Sequence, residues 1–292
     1  MLTKINSYSE YYSNLQPEFQ VNPKSSFKNY YHETIGLGKR LYIQIKRRPI
    51  NLIAGLIQPL IWLILFGALF QKMMITVQIP YNKFLNTGII TFTSFTSAMN
   101  AGLPIIFDRE FGFFNRLLVS PLQSKYSILI SSILSITLIT LFQTYIIITF
   151  NLIILKYQYS IYQLISIFYI TVLLTITISN ISICLAFILP GHIEFLALVL
   201  ISNLPVLFSS TALAPLSFMP HWLQIMTHFN PMTYAIEMLR FILIHNINQI
   251  SSIESTLNSS IYTHICQNIS ILLFINVINF ILSKYIITYK CE

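Results

Sequence analysis

Six long apolar stretches, none with a charged residue in its middle, decide what this chain can become. They run over about 50–70, 84–107, 126–155, 161–189, 194–219 and 269–287. A membrane helix needs roughly 20 predominantly apolar residues to cross the hydrocarbon core, and each stretch supplies that length. The third and fourth are longer still and are expected to tilt or to run into the interface. Runs such as Ile146-Ile147-Ile148 break the two-residue alternation that a membrane barrel requires. The expectation is an all-α membrane protein with six transmembrane helices. Only 9% of the 292 residues are charged, whereas a soluble domain carries roughly 25% to keep its surface hydrated. An ordinary soluble enzyme is thereby excluded. The net charge of +8 would in another composition suggest nucleic acid; with these uncharged stretches the partner is the membrane, and no nucleic acid is expected.

Counting Lys and Arg between the spans gives the orientation. Thirteen lie in the tail before Ile50, in the loop after span two (Arg109, Arg116, Lys125) and at the C-terminal end; four (Lys72, Lys83, Lys156, Arg240) lie on the other side. Both termini should therefore face the cytoplasm-equivalent side, which an even span number permits. Residues 1–30 are polar with little apolar periodicity and are expected to be a mobile tail. No signal or transit peptide is expected, because the first long apolar run starts at Ile50 and the tail carries Glu10, Glu18 and Glu33. From Tyr31 to Arg48, Leu37, Leu41 and Ile45 recur every four residues among Lys39, Arg40, Lys46, Arg47 and Arg48. That pattern fits an amphipathic helix in the headgroup region or the plain basic flank of span one.

The chemistry that would let such a chain work alone is missing. Gly36-Leu37-Gly38-Lys39-Arg40 lacks the glycine spacing and the Ser or Thr of a phosphate-binding loop. Ion-coupled transporters place ionisable groups inside the membrane, yet only Glu194 and Glu237 approach an apolar run, each near an end. The six histidines fall in tails, loops or span ends, and the three cysteines are widely separated, so neither haem nor metal is expected. The chain is expected to be no enzyme and to hold no cofactor. Energy for uphill movement would enter through a partner.

Two segments concentrate what polar chemistry remains. After span two, Phe107-Asp108-Arg109-Glu110-Phe111-Gly112-Phe113-Phe114-Asn115-Arg116-Leu117-Leu118-Val119-Ser120-Pro121 packs four charges between apolar knobs. A short amphipathic helix ending before Pro121 follows, suited to docking in a soluble partner's groove or to floating at the headgroups. Between spans five and six, Met219-Pro220-His221-Trp222 through Phe229-Asn230-Pro231 is aromatic and amphipathic. Tyr234 to Ile244 continues it, with Glu237 and Arg240 three residues apart. Short re-entrant or interfacial helices fit there better than a span, and a plain headgroup loop is the alternative. Span two places Thr87, Thr91, Ser94, Ala98 and Ala101 on one face, for close packing or for a polar path. Span five offers Ser202, Asn203 and Ser209 with a kink expected at Pro205.

In this order the two segments resemble the membrane subunit of ABC-2 type transporters, from about Tyr31 to the end of the chain. Arg109-Glu110-Phe111-Gly112…Arg116-Leu117-Leu118-Val119-Ser120-Pro121 is similar to the family's cytoplasmic coupling segment. Leu213-Ala214-Pro215…Pro220…Trp222…Asn230-Pro231-Met232-Thr233-Tyr234…Arg240 is similar to its most specific motif. Asn115 replaces an acid, Phe113-Phe114 replace a smaller pair, and a glycine usual in span five is absent. The resemblance implies domain 31–292, a six-span permease with an interfacial N-terminal helix, a coupling helix and a re-entrant pair before the last span. It also implies a homodimer driven by a separate ABC ATP-binding subunit, with ATP bound by that partner. Asp108, Arg109, Glu110, Arg116 and Pro121 would then form the ATPase-coupling loop, with the first four as rim ion pairs, and Glu110→Arg would uncouple hydrolysis from transport. Pro220, Trp222, Asn230, Pro231, Tyr234 and Arg240 carry the second motif, and Thr91, Ser94 and Asn203 are candidates for the substrate path. An amphipathic or lipid-linked cargo, exported, suits a path without charges. The rival reading is a non-transporting accessory subunit, for example one delivering cofactor in cytochrome maturation. A gene with 52 Ile and 9 Ala codons is AT-rich, which favours a plastid membrane with stromal termini over a bacterial inner membrane.

Overall fold

The computed structural model describes residues 27–47, 50–70, 81–119, 126–154, 158–244 and 255–291. Most of the expected tail, and Pro121, lie outside the described residues. Among those residues the secondary structure is helical throughout, with no strand. In chain order the helices are α1 (Phe27–Arg47), α2 (Ile50–Phe70), α3 (Tyr81–Met99), α4 (Leu103–Glu110), α5 (Phe113–Val119), α6 (Tyr126–Ile154), α7 (Ile161–Ile188), α8 (His192–Phe208), α9 (His221–Phe229), α10 (Pro231–Ile244) and α11 (Ser255–Cys291). Single 3₁₀ turns occupy Asn100–Gly102 and Leu216–Phe218. Four helical segments are long and apolar enough to cross a membrane: Phe84–Glu110, Ser127–Ile153, Ile161–Ile188 and Cys266–Ile286. Two shorter apolar helices, Gly55–Leu69 and His192–Phe208, accompany them.

The core is built on α3, whose residues from Phe84 to Met99 are all buried. Thr87, Thr91 and Ser94 are fully enclosed, and their hydroxyls donate back to carbonyls of their own helix. Such back-bonding satisfies a hydroxyl without any partner helix, so a small polar face can pack closely in apolar surroundings. Gly88 lies against the backbone of Ala212, where a β-carbon would stand 2.5 Å from the carbonyl oxygen. α7 packs on the same helix, and Asn276 and Asn279 of α11 donate amide bonds at 3.4 Å to the carbonyls of Leu173 and Thr177. Both contacts advance in the same direction along the two chains, so α7 and α11 run parallel.

α2, α3 and α6 share one polar joint. Ser97 Oγ donates to Gln143 Oε1, and Gln143 Nε2 donates to the Leu52 carbonyl at 3.2 Å. Gly55 leaves the room: a β-carbon there would meet Gln143 Nε2 at 2.8 Å. Interhelical bonds of this kind are worth about 1 kcal/mol in a membrane. Gln143→Leu is expected to lower the stability of the detergent-solubilised chain by about that amount, read as a drop in melting temperature; an unchanged melt would show the joint to be idle.

Three boundaries differ from the sequence expectation, each for a local reason. Span two is not one helix: it passes through the 3₁₀ turn at Asn100–Gly102 before Leu103-Pro104 restart it and carry it on to Glu110. Pro104 cannot donate a backbone bond, and its ring is accepted in the first turn of α4. The coupling segment is likewise divided. Its acids and Arg109 end α4, Gly112 turns the chain at φ +70°, and α5 begins at Phe113. A positive φ there suits glycine, which has no β-carbon to clash. The helix of span five stops at Phe208, not near Met219, with Pro205 inside its last turn.

The coupling loop and the outer motif

Three consecutive residues at the end of α4 each reach a different helix. Asp108 accepts from Arg40 of α1, and the Arg40 guanidinium lies 4.7 Å from the centre of the Phe113 ring. Arg109 turns to the end of α7 and donates to the carbonyls of Phe187 (3.1 Å), Leu189 and Pro190 (2.8 Å). The last carbonyls of a helix lack intrahelical donors and carry partial negative charge, so a guanidinium is their natural cap. Glu110 turns the other way, to the start of α8. Its Oε1 accepts the His192 backbone N–H at 2.6 Å, and its Oε2 lies 2.5 Å from His192 Nδ1. An acid at a helix N-terminus answers the free N–H groups there by the same logic. The three residues thus brace α1, α7 and α8 against α4.

What the loop leaves outside is different in kind. Phe114 is buried against Phe187, with ring centres 5.6 Å apart, and holds α5 in place. Phe111 is 79% exposed and Val119 87% exposed, with Asn115 and Arg116 also open to solvent. Of the four expected rim ions, Asp108, Arg109 and Glu110 are engaged within the chain. Arg116 stands on the outer face of α5.

The second motif forms the opposite end of the molecule. Asn230 donates through Nδ2 to the Val206 carbonyl (2.8 Å) and to Ser209 Oγ (3.2 Å), while its Oδ1 accepts the Met232 N–H at 3.0 Å. One side chain therefore caps the end of α8 and the start of α10, where Pro231 occupies the first helical position and needs no donor partner. This remote cap joins local ones at the end of α8, where the Ser209 and Ser210 hydroxyls donate to the Val206 and Leu207 carbonyls. Pro220 precedes α9 and accepts its first backbone bonds, from Leu223 at 2.9 Å and Gln224 at 3.1 Å. Tyr234 Oη donates to the His228 carbonyl at 2.6 Å. Trp222 points outward, 63% exposed, on a stripe with Ile225, Met226 and Phe229. Arg240 is largely enclosed, pairs with Glu237 at 2.7 Å, donates to the Thr211 carbonyl and lies 3.7 Å over the Phe84 ring. The pair three residues apart on α10 is the one expected from spacing.

The path candidates divide. Thr91 and Ser94 sit inside the packed chain with bonded hydroxyls, so within one copy their face is a packing face. Asn203 lies on the buried stripe of α8, and its Oδ1 has no hydrogen-bond partner. Several positions were not legible as sites beforehand: Arg40 and His192 at the coupling end, and the bonded cluster of Asn86, Asn151 and Tyr159 at the far end of α3 and α6. Asn86 and Asn151 are lone amides inside apolar runs, which is itself a signal, because an unpaired amide is costly in hydrocarbon. Among the described residues no group of three His, Cys, Asp or Glu converges on a metal site.

The chain belongs to the ABC-2 type transporter family, whose model matches residues 32–244. It is 47% identical to "Putative transport permease ycf38" of Cyanophora paradoxa over 259 residues, covering 87% of this chain and 89% of that one. The proteins of the same name from Porphyra purpurea and Pyropia yezoensis are 47% and 51% identical. The first match covers 84% of this chain and 85% of the relative, the second 70% and 71%.

Proposed function

We propose that the chain is the membrane-spanning subunit of an ATP-driven exporter, powered by a separate ABC ATP-binding subunit that docks on α5 and the Phe111–Gly112 turn. The observation that carries this reading is the outward apolar face of that turn and helix, held by Phe114 and flanked by Arg116. Solvent-facing aromatic and aliphatic anchors with a cation at the rim are what a protein groove recognises. ATP is bound by the partner, and the chain contributes no nucleotide site.

Six crossings are supported by the way the helices meet. Since α7 and α11 run parallel, the chain between them has to return across the membrane, and α8 is the apolar helix available for it. Trp62 of α2 meets Phe208 at the far end of α8 (6.2 Å between rings), and the apolar stretch Gly55–Leu69 of α2 supports reading it as the remaining crossing. α9 and α10 then form a re-entrant or interfacial pair before the last span. α2 and α8 also carry adjacent exposed apolar faces, including Ile57, Ile61, Leu200 and Leu204. These are the surfaces of a homodimer, with the substrate path between the copies and Asn203 closest to it. The cargo is amphipathic or lipid-linked. The basic residues of α1 and the coupling loop support stromal termini in a plastid membrane, a reading in line with the algal relatives.

The test is a mild-detergent pull-down of the chain followed by an ATPase assay. Recovery of an ABC ATP-binding subunit is the expected result. Recovery of the chain alone, or with an electron-transfer complex, would replace this reading with an accessory or assembly role.

A further inference from the structure

α8 differs from the other apolar helices in how it is held. Its N-terminus is gripped by Glu110 through both the backbone N–H and the ring of His192. Gly191, extended at φ −144° and ψ 171°, leaves room for that carboxylate, since a β-carbon would lie 2.9 Å from Glu110 Oε1. Its C-terminus is gripped by Asn230 through the Val206 carbonyl and Ser209 Oγ. Between these grips only Phe195, Val199, Asn203 and Leu207 are buried, a single stripe at four-residue spacing. Ile193, Leu200, Ile201, Leu204 and Phe208 face outward.

We infer that α8 is the strut that carries a displacement of the coupling loop to the outer helical pair, with His192 and Asn230 as the positioning residues at its two joints. Within one copy, a rod fixed by polar bonds at its ends and packed along one narrow stripe can shift along its axis or tilt with little loss of core packing, its outer face moving against the partner copy of the proposed homodimer. Broadly interlocked α3 cannot. The joints have the required directness: Glu110 lies two residues before the turn that carries α5, and Asn230 also caps α10. A push on α5 therefore reaches α9 and α10 through one helix and two side chains. The inference rests on the proposed docking of an ATP-binding subunit, which supplies the push.

His192→Pro isolates the inner joint. Position 192 is the first residue of α8, where proline is accepted, and the extended Gly191 is compatible with a following proline. The change removes both the N–H and the ring from Glu110 without stopping the helix. His192→Ala keeps the N–H and is the intermediate case; His192→Asn restores a side-chain donor. The experiment follows amide hydrogen exchange of the co-purified complex in nanodiscs, with and without vanadate-trapped nucleotide, over 206–230. In the unaltered complex, trapping is expected to change exchange there at least threefold. With His192→Pro the ATP-binding subunit should still co-purify and hydrolyse ATP, the response at 206–230 should vanish, and His192→Asn should recover it. Asn230→Ala should leave a response at 189–195 and abolish it in α9. A full response at 206–230 with His192→Pro would overturn the strut, as would a hydrolysing unaltered complex with no response there. Absence of any ATP-binding subunit would instead remove the docking reading, and the strut with it.

Discussion

Gly88→Val is expected to prevent the chain from reaching a stable monodisperse state, with Gly88→Ala already clearly weakened. A β-carbon at position 88 would lie 2.5 Å from the Ala212 carbonyl oxygen and 2.8 Å from its α-carbon. These are backbone atoms, so no rotamer change relieves the clash. Nor can the connection simply slide away. The neighbouring Thr211 carbonyl is bonded by Arg240, which is itself paired with Glu237 and seated on Phe84, one turn from Gly88 on the same helix. The steric cost of overpacking at such a point is about 3 kcal/mol, enough to lower the melting temperature of a chain this long by roughly 5 °C. Gly36 is the control, because nothing stands within 4 Å of a β-carbon there; Gly36→Ala should be silent. Size-exclusion profile and thermal unfolding in one detergent decide the matter, and a Gly88→Val chain that melts like the unaltered protein would refute the close approach.

The same region shows what a linear reading can and cannot deliver. α6 and α7 begin and end within a residue of their expected bounds, because a hydrocarbon-spanning run announces itself by composition and is ended by its own flanking polar residues. The end of α8 was not legible as a joint, since Asn230, which adds to the local Ser209 and Ser210 caps, is 24 positions from the carbonyl it bonds. The coupling charges illustrate a second blindness. In sequence Asp108, Arg109 and Glu110 are four-fold conspicuous with Arg116 in a charge-poor chain, and so read as ions waiting for a partner protein. Their partners lie 68 to 82 residues away in the same chain: Arg40, the last carbonyls of α7 and the first N–H of α8. Two of those three partners are helix ends, which exist only once the fold does. The family motif was legible because its residues fall within one short stretch of chain, while its physical work, capping two helices with one Asn, required the structure.

That redistribution of roles yields the sharpest prediction about function. If the acids and Arg109 brace the chain, docking strength should reside in the apolar face left outside. Phe111→Asp is therefore expected to weaken binding of the ATP-binding subunit by at least roughly 30-fold, the equivalent of a 2 kcal/mol interface anchor. Phe111 is 79% exposed and touches the chain chiefly through a parallel ring contact with Phe107 at 5.9 Å, so the variant should melt within a few degrees of the unaltered protein. Arg116→Glu should behave differently: a rim charge alters the association rate and its salt dependence more than the lifetime of the complex. Asp108→Ala should do the reverse of both, releasing Arg40, lowering thermal stability and leaving most of the binding in place. The measurement is binding kinetics of the purified subunit to the permease in nanodiscs, at two salt concentrations, beside a melting curve for each variant. Unchanged binding for Phe111→Asp, with a large loss for Asp108→Ala at normal stability, would return the rim role to the acids and dismiss the apolar face as the docking site. The opposite pattern means that the ions hold the lever and the aromatic ring meets the partner.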